Sequence, residues 1–166
     1  MKPSISMEAL YAPIPCEGFS IVPVMGRMDP DLGAEIEALW ARHRILPAGA
    51  DSQRRLQQVV CIARDPEGVL ASVCTAYRVK HQGKLYFAYR LFIRPHNGVP
   101  SLKVEITRVA REFLRDLPMP NKPNGLYLVL ENPKLRRDEV TQALIFKGYR
   151  RAGLDAQGRD VWIFDF

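Results

Sequence analysis

The chain reads as an α+β domain built on a mixed central sheet of about six to seven strands, with helices on both faces. Two observations predict this. Strand-type segments at 57–64, 69–79 and 85–94 follow one another through short turns, which is hairpin order. From 101 the apolar spacing lengthens to a helical period, and strand-type residues return at 125–131. Strand, helix and strand in that order make a crossover between parallel strands, so hairpins and crossover together give a mixed sheet.

Residues 1–18 carry one Lys and three prolines and no run of seven apolar residues, and read as an extended, Pro-rich lead-in. The domain itself is expected to run from 19 to 166. Residues 19–24 (FSIVPV) form the first strand, with Pro23 suited to its end or to an edge. Asp29-Pro30 opens a helix, because the Asp carboxylate can accept from orphan N–H groups and Pro fits the first helical position. Leu32, Ile36, Leu39, Trp40 and His43 share one face of it before Leu46-Pro47 ends the pattern. Residues 48–56 are polar and Arg-rich, a loop with a short second helix. Asp65-Pro66-Glu67-Gly68 has hairpin-turn chemistry, and His81-Gln82-Gly83-Lys84 makes a second tight connection. The segment 85–94 (LYFAYRLFIR) is apolar on both faces, as a central strand is. PHNGVP at 95–100 is a turn. Leu102, Ile106, Val109, Ala110, Phe113 and Leu117 then mark a helix of about four turns. After the strand at 125–131, Asn132-Pro133 opens a helix through about Lys147, with Gly148 as its C-terminal glycine. Residues 149–154 and 161–166 (VWIFDF) close the sheet, the last as an edge that a homodimer could extend.

Length and composition agree with a single packed domain. At 166 residues, 47% hydrophobic and 25% charged, the chain can bury a core without metal or disulfides, and disorder, collagen and a disulfide scaffold are excluded. Cys16, Cys61 and Cys74 are too few and too scattered for a metal motif or a disulfide framework, and no metal site is expected. Their odd number and the missing apolar signal region point to the cytoplasm. No segment approaches the ~20 apolar residues of a membrane span. Lys+Arg 24 against Asp+Glu 18 gives +6, which favours anionic partners: a cofactor phosphate, nucleic acid or an acidic protein. Nucleic acid ranks last, since the chain has neither a nucleic-acid motif nor a concentrated basic stripe. Arg54-Arg55 and Arg136-Arg137 read as solvated faces or as grips for a terminal phosphate. No Ser–His–Asp spacing, P-loop or HExxH occurs.

The element order resembles that of the GNAT superfamily of N-acetyltransferases over 19–166. ENP at 131–133 and TQALIFKGYRRAGLDAQGRDVWIF at 141–164 resemble the family's strand–Asn–helix–Gly-Phe–hairpin segment, with Gly148-Tyr149 in place of Gly-Phe. LFIRP at 91–95 resembles the end of its fourth strand. The resemblance implies direct acyl transfer from acetyl-CoA, or another acyl-CoA, to a small-molecule or protein amine. It also implies a cofactor site in which two parallel strands part and the pantetheine arm pairs with exposed backbone. The pyrophosphate would rest on the start of the following helix. By position, the implied cofactor residues are Phe92, Ile93, Arg94, Ser101, Leu102, Lys103 and Asn132, Asn132 being equally a helix cap before Pro133. His43, Tyr86, Tyr89 and Glu131 are candidates for the acceptor cleft, each with a packed or solvated role as the alternative.

The chain also departs from the family pattern. The phosphate-loop signature Arg/Gln-x-x-Gly-x-Gly/Ala is broken in either register, and Pro100 removes one N–H donor. Leu144 stands where a Tyr acid is frequent, and 85–94 contains no Asp or Glu to act as base. No catalytic residue is assigned. The competing reading is therefore a catalytically degenerate GNAT-fold binding module.

Overall fold

The computed structural model describes residues 3–96 and 99–166. The turn expected at 95–100 therefore lies partly outside the described residues, at Asn97 and Gly98. Eight strands form one mixed sheet: β1 (Ile14–Cys16), β2 (Phe19–Pro23), β3 (Val59–Arg64), β4 (Leu70–His81), β5 (Lys84–Ile93), β6 (Gly125–Val129), β7 (Arg150–Leu154) and β8 (Asp160–Asp165). Their order in the sheet is β1-β2-β3-β4-β5-β6-β8-β7. The chain divides into two compact units, Met1–Thr75 with Leu91–Leu117, and Ala76–Arg90 with Pro118–Phe166, so the boundary falls within β4 and within β5.

In the first unit the lead-in is folded rather than extended, which accounts for the strand beyond the expected count. Ser6 caps a single helical turn, α1 (Met7–Leu10), by accepting from the Ala9 N–H at 3.1 Å. Tyr11 then fastens the segment. Its ring meets Phe113 edge-on at 5.1 Å, its hydroxyl donates to the Met25 carbonyl at 2.6 Å, and the Arg27 guanidinium lies 3.6 Å over its face. One aromatic anchor leaves no periodic trace in a sequence. β1 follows, antiparallel to β2.

The helix α2 (Pro30–His43) starts as read, with the Asp29 carboxylate accepting from the Leu32 N–H at 2.8 Å and Pro30 at the first helical position. Its apolar face packs Leu32, Ile36, Leu39 and Trp40 against Leu56 of the short α3 (Ser52–Leu56) and against Val59, Ile62, Leu70 and Val73. Val22 of β2 packs on that cluster, so strand alternation turns the buried Phe19 and Ile21 to the other face. α4 (Pro100–Asp116) lies against β1, β2 and β3 and buries Leu102, Ile106, Val109, Ala110, Phe113 and Leu114. Its solvent side carries Arg108, held by Glu105 and Glu112 one turn to either side.

In the second unit β5 and β6 run parallel, with Phe87 opposite Leu126 and Ala88 opposite Tyr127. β6 pairs antiparallel with β8 over its whole length, and Tyr86, Val161 and Ile163 form the core. The edge expected at 161–166 is not an edge. β8 lies between β6 and β7, because the turn through Asp155 folds β7 onto its outer side, and β7 takes the edge.

The helix expected from Asn132 to about Lys147 is likewise divided. Pro133–Leu135 is a 3₁₀ turn; Arg136 and Arg137 leave helical conformation, and α5 (Asp138–Phe146) starts afresh with Asp138 and Glu139 in its first turn. Its end is the expected glycine cap. Gly148, at φ +93°, lets the Tyr149 N–H reach the Leu144 carbonyl at 2.9 Å and its own N–H reach Ile145 at 3.0 Å.

Gly125 is required by close approach rather than by conformation. A Cβ there would sit 1.8 Å from the Phe164 carbonyl oxygen and 2.8 Å from its carbon, both of them backbone atoms of the neighbouring strand. Gly125→Ala must push β8 off β6. We expect a loss of about 3 kcal/mol or more, read as a lower urea midpoint at unchanged slope.

Candidate functional site

The residues singled out from the sequence fall in both units, and the geometry of each is local. In the first unit, β5 ends and α4 begins among Phe92, Ile93, Arg94, Ser101, Leu102 and Lys103. The Ser72 hydroxyl donates to the Phe92 carbonyl at 2.8 Å, and the Arg94 N–H donates to the Ala71 carbonyl at 2.8 Å, which fixes the strand end against β4. Ile93 is half-buried. Leu102 is fully buried and serves the core. Lys103 is exposed on the first turn of α4.

Arg94 and Ser101, both read as anion ligands, already hold carboxylates of this chain. The Arg94 guanidinium donates to Asp65 at 3.0 Å, with only 24% of its side chain exposed and 8% of the Asp65 side chain. Asp65 closes the β3–β4 turn, accepting from the Glu67 and Val69 N–H groups at 2.9 Å each. The Ser101 hydroxyl donates to Glu17 at 2.5 Å, and Cys16 Sγ lies 3.9 Å from the same oxygen. Neither Asp65 nor Glu17 is a residue the sequence reading placed near the site. The turn signature at 65–68 was visible; the guanidinium it would hold was not.

His43, in the last turn of α2, lies beside Phe92, with ring centroids 5.3 Å apart, and its buried Nε2 has no hydrogen-bond partner among the described residues. The structure thus brings together two of the predicted residues. Two open pockets lie along α2 and α3, of about 590 and 390 Å³. Glu37 borders both, its carboxylate accepting from Ser52 at 2.6 Å and Gln53 at 3.0 Å, and none of the predicted site residues lines either.

In the second unit Asn132 follows β6, and its side-chain oxygen accepts from the Lys134 N–H at 3.0 Å. The capping reading therefore holds, and the amide nitrogen is a donor the cap does not use. Glu131 is exposed, 3.5 Å from Arg159, whose firmer contact is Asp155 at 2.8 Å. Tyr89 is buried. Tyr86 is 1% exposed, and its hydroxyl donates to Asp165 at 3.1 Å while accepting from Arg150 at 3.3 Å. Burial, then the Asp165 carboxylate, push the Tyr86 phenol above its ordinary range, and Arg150 holds Asp165 below its own. Leu144 is half-buried on α5.

Several arginines hold carboxylates of this chain. Arg64 pairs with Glu35, Arg108 with Glu105 and Glu112, Arg115 with Asp116, and Arg151 with the buried Asp160. Arg136 donates to the Gly158 carbonyl at 2.7 Å. No cluster of three or more metal-ligating side chains and no helix long and apolar enough to cross a membrane occurs among the described residues.

No protein-family model and no curated protein matches the chain. Solved structures do. A ribosomal-protein-S5-alanine acetyltransferase from Vibrio fischeri superposes with a TM-score of 0.63 over 92% of this chain and 94% of its own, at 9% identity. A GNAT-family acetyltransferase from Listeria monocytogenes 4b F2365 gives 0.62 over 93% and 100%, at 14% identity. A chain of the NatC complex bound to Gag peptide and CoA gives 0.59 over 89% and 98%, at 13% identity. The fold is that of the GNAT acetyltransferases. β5 and β6 run parallel with α4 between them in the chain, the strand–helix–strand order expected from the sequence.

The Asp65–Arg94 pair gives the strand end a pH dependence. The Val69 N–H above all, then Arg94 and the Glu67 N–H, hold the Asp65 carboxyl below its usual range against the opposing effect of burial. A lowered folded pKa means stability that is complete above the unfolded value, about 3.9, and lost as pH falls through the lower folded one. Asp65→Asn is expected to lower the urea midpoint at pH 7, with the gap to wild type closing as the pH is taken down below the unfolded value of about 3.9.

Proposed function

We propose that residues 19–166 are an N-acyltransferase domain of the GNAT type, passing an acyl group from acetyl-CoA, or another acyl-CoA, directly to the amine of a small molecule or protein. The observation that carries the reading is the parallel β5–β6 pair of the second unit: two residues of register, Phe87↔Leu126 and Ala88↔Tyr127, in strands that run on within that unit through Arg90 and Val129. A short parallel register ahead of longer strand ends suits a ligand that binds by backbone pairing. The NatC neighbour, with CoA and a peptide bound, supports the same chemistry on this fold.

The residues present fit a phosphate-bearing cofactor in part. In the first unit the start of α4, the Ser101 hydroxyl and the exposed Lys103 suit a phosphate. Arg94 belongs to Asp65 and contributes field rather than a contact. In the second unit the Asn132 amide nitrogen is a donor for a carbonyl of the pantetheine arm. A bound acyl-CoA supplies an activated thioester for an amine to attack. The chain's own part is positioning, which alone lowers such barriers by several kcal/mol. β5 carries no carboxylate and position 144 no acid, so proton transfers fall to solvent.

A second reading, a binding module without turnover, draws on Leu144 and on the carboxylate already at Ser101. Calorimetry with acetyl-CoA tests the first reading. Saturable heat is expected, with Lys103→Ala weakening binding about three- to tenfold and the difference shrinking at high salt. Absence of heat at millimolar acetyl-CoA would overturn it. Thiol release across an amine panel separates the two, since turnover with any amine rejects the inert module.

A further inference from the structure

Glu17 and Gly18 form the two-residue turn between β1 and β2, closed by the Cys16–Phe19 pair. Both have positive φ, 47° and 86°, the arrangement of a primed hairpin turn. Glycine meets that requirement without strain; Glu does not, and Asn or Asp is the usual choice before the glycine. A Cβ at position 18 would also come within 3.2 Å of Pro66, so the turn is held from behind. The result is an exposed glutamate in a tight two-residue turn, with its carboxylate on the Ser101 hydroxyl.

The start of α4 has few other donors to give. Its capping residue, Val99, makes no side-chain hydrogen bond, Pro100 brings no N–H, and the Leu102 N–H turns back to the Val99 carbonyl at 3.1 Å. Ser101 Oγ is therefore a side-chain donor at this positive helix end, with the Lys103 ammonium two residues further on. A carboxylate bound there satisfies both the hydroxyl and the dipole. A phosphate would need the same donor and would meet a like charge at hydrogen-bonding distance.

We propose that Glu17 is a built-in competitor for the anion-binding end of α4: its carboxylate stands in for a cofactor phosphate, and the turn must release Ser101 before a phosphate can take its place. This rests on the acyl-CoA reading above. It concerns regulation of that site, since any partner or change that draws Glu17 away raises cofactor affinity.

Calorimetry on the full chain with two probes, CoA and pantetheine, tests it. The latter lacks the phosphates. Glu17→Gln and Glu17→Asn remove the charge, and Asn also suits the positive φ of the turn; circular dichroism checks the fold of each. Both variants are expected to bind CoA roughly two- to fivefold more tightly than wild type, and pantetheine equally well. CoA affinity equal to or weaker than wild type overturns the competitor and leaves the acyl-CoA reading standing. A gain shared by pantetheine also overturns it, because the effect is then not aimed at phosphate. No CoA binding by wild type or either variant overturns both.

Discussion

Parallel strands cannot be joined by a tight turn, and the central part of the sheet is arranged around that constraint. β5 and β6 are parallel, so the chain must leave the sheet after Ile93 and return at Gly125 travelling in the same direction. α4, 17 residues long, fills the interval. Its buried face, from Leu102 to Leu114, matches the apolar face of the first unit's strands, so the crossover also completes a core. Short turns join β1 to β2, β3 to β4, β4 to β5 and β7 to β8, whereas α2 and α3 lie between β2 and β3, and a 3₁₀ turn with α5 lies between β6 and β7.

The same constraint explains why the anion-binding question arises at one place. A crossover helix presents its N-terminal end where the chain has just left a strand, and the unsatisfied N–H groups there attract negative charge. Here the helix opens with Val99-Pro100, a pair with neither a capping side chain nor a full set of donors. The end is not left bare. The first hairpin supplies a carboxylate from Glu17, as the second supplies Asp65 to the neighbouring Arg94. Two turns of the first unit thus neutralise, from outside, the two groups a motif reading would assign to a ligand.

What was legible in the sequence follows the range of the physical signal. Periodicity and caps are local, so α2 with Asp29-Pro30, α4, the hairpins around 65–68 and 82–83 and the Gly148 cap were readable. Interactions that join distant segments were not. The lead-in is folded by Tyr11 reaching Phe113 and Met25, and nothing near Tyr11 in sequence signals it. The 132–147 helix looked continuous because Val140, Leu144 and Ile145 keep a helical pattern; Arg136 and Arg137, good helix formers by propensity, break it. The position of β8 inside the sheet depends on which side β7 folds, which alternation cannot specify. For the site the lesson is sharper. The family resemblance suggests Arg94 and Ser101 as anion ligands; the fold shows Asp65 and Glu17 on them.

That distinction bears on how a broken motif should be weighed. Pro100 subtracts a donor from the helix start and Glu17 adds an acceptor, and both shift the same balance against an incoming phosphate. They differ in reversibility. A missing N–H cannot be restored by any motion, whereas a carboxylate on an exposed turn can be displaced, at the cost of one hydrogen bond and one charge–dipole contact. Lys103, exposed on the first turn of the same helix, keeps the electrostatic attraction that such displacement would need. A site weakened only by deletions is degenerate; one that its own glutamate occupies, as proposed for Glu17, is gated, and the two differ in what one charge-removing substitution does.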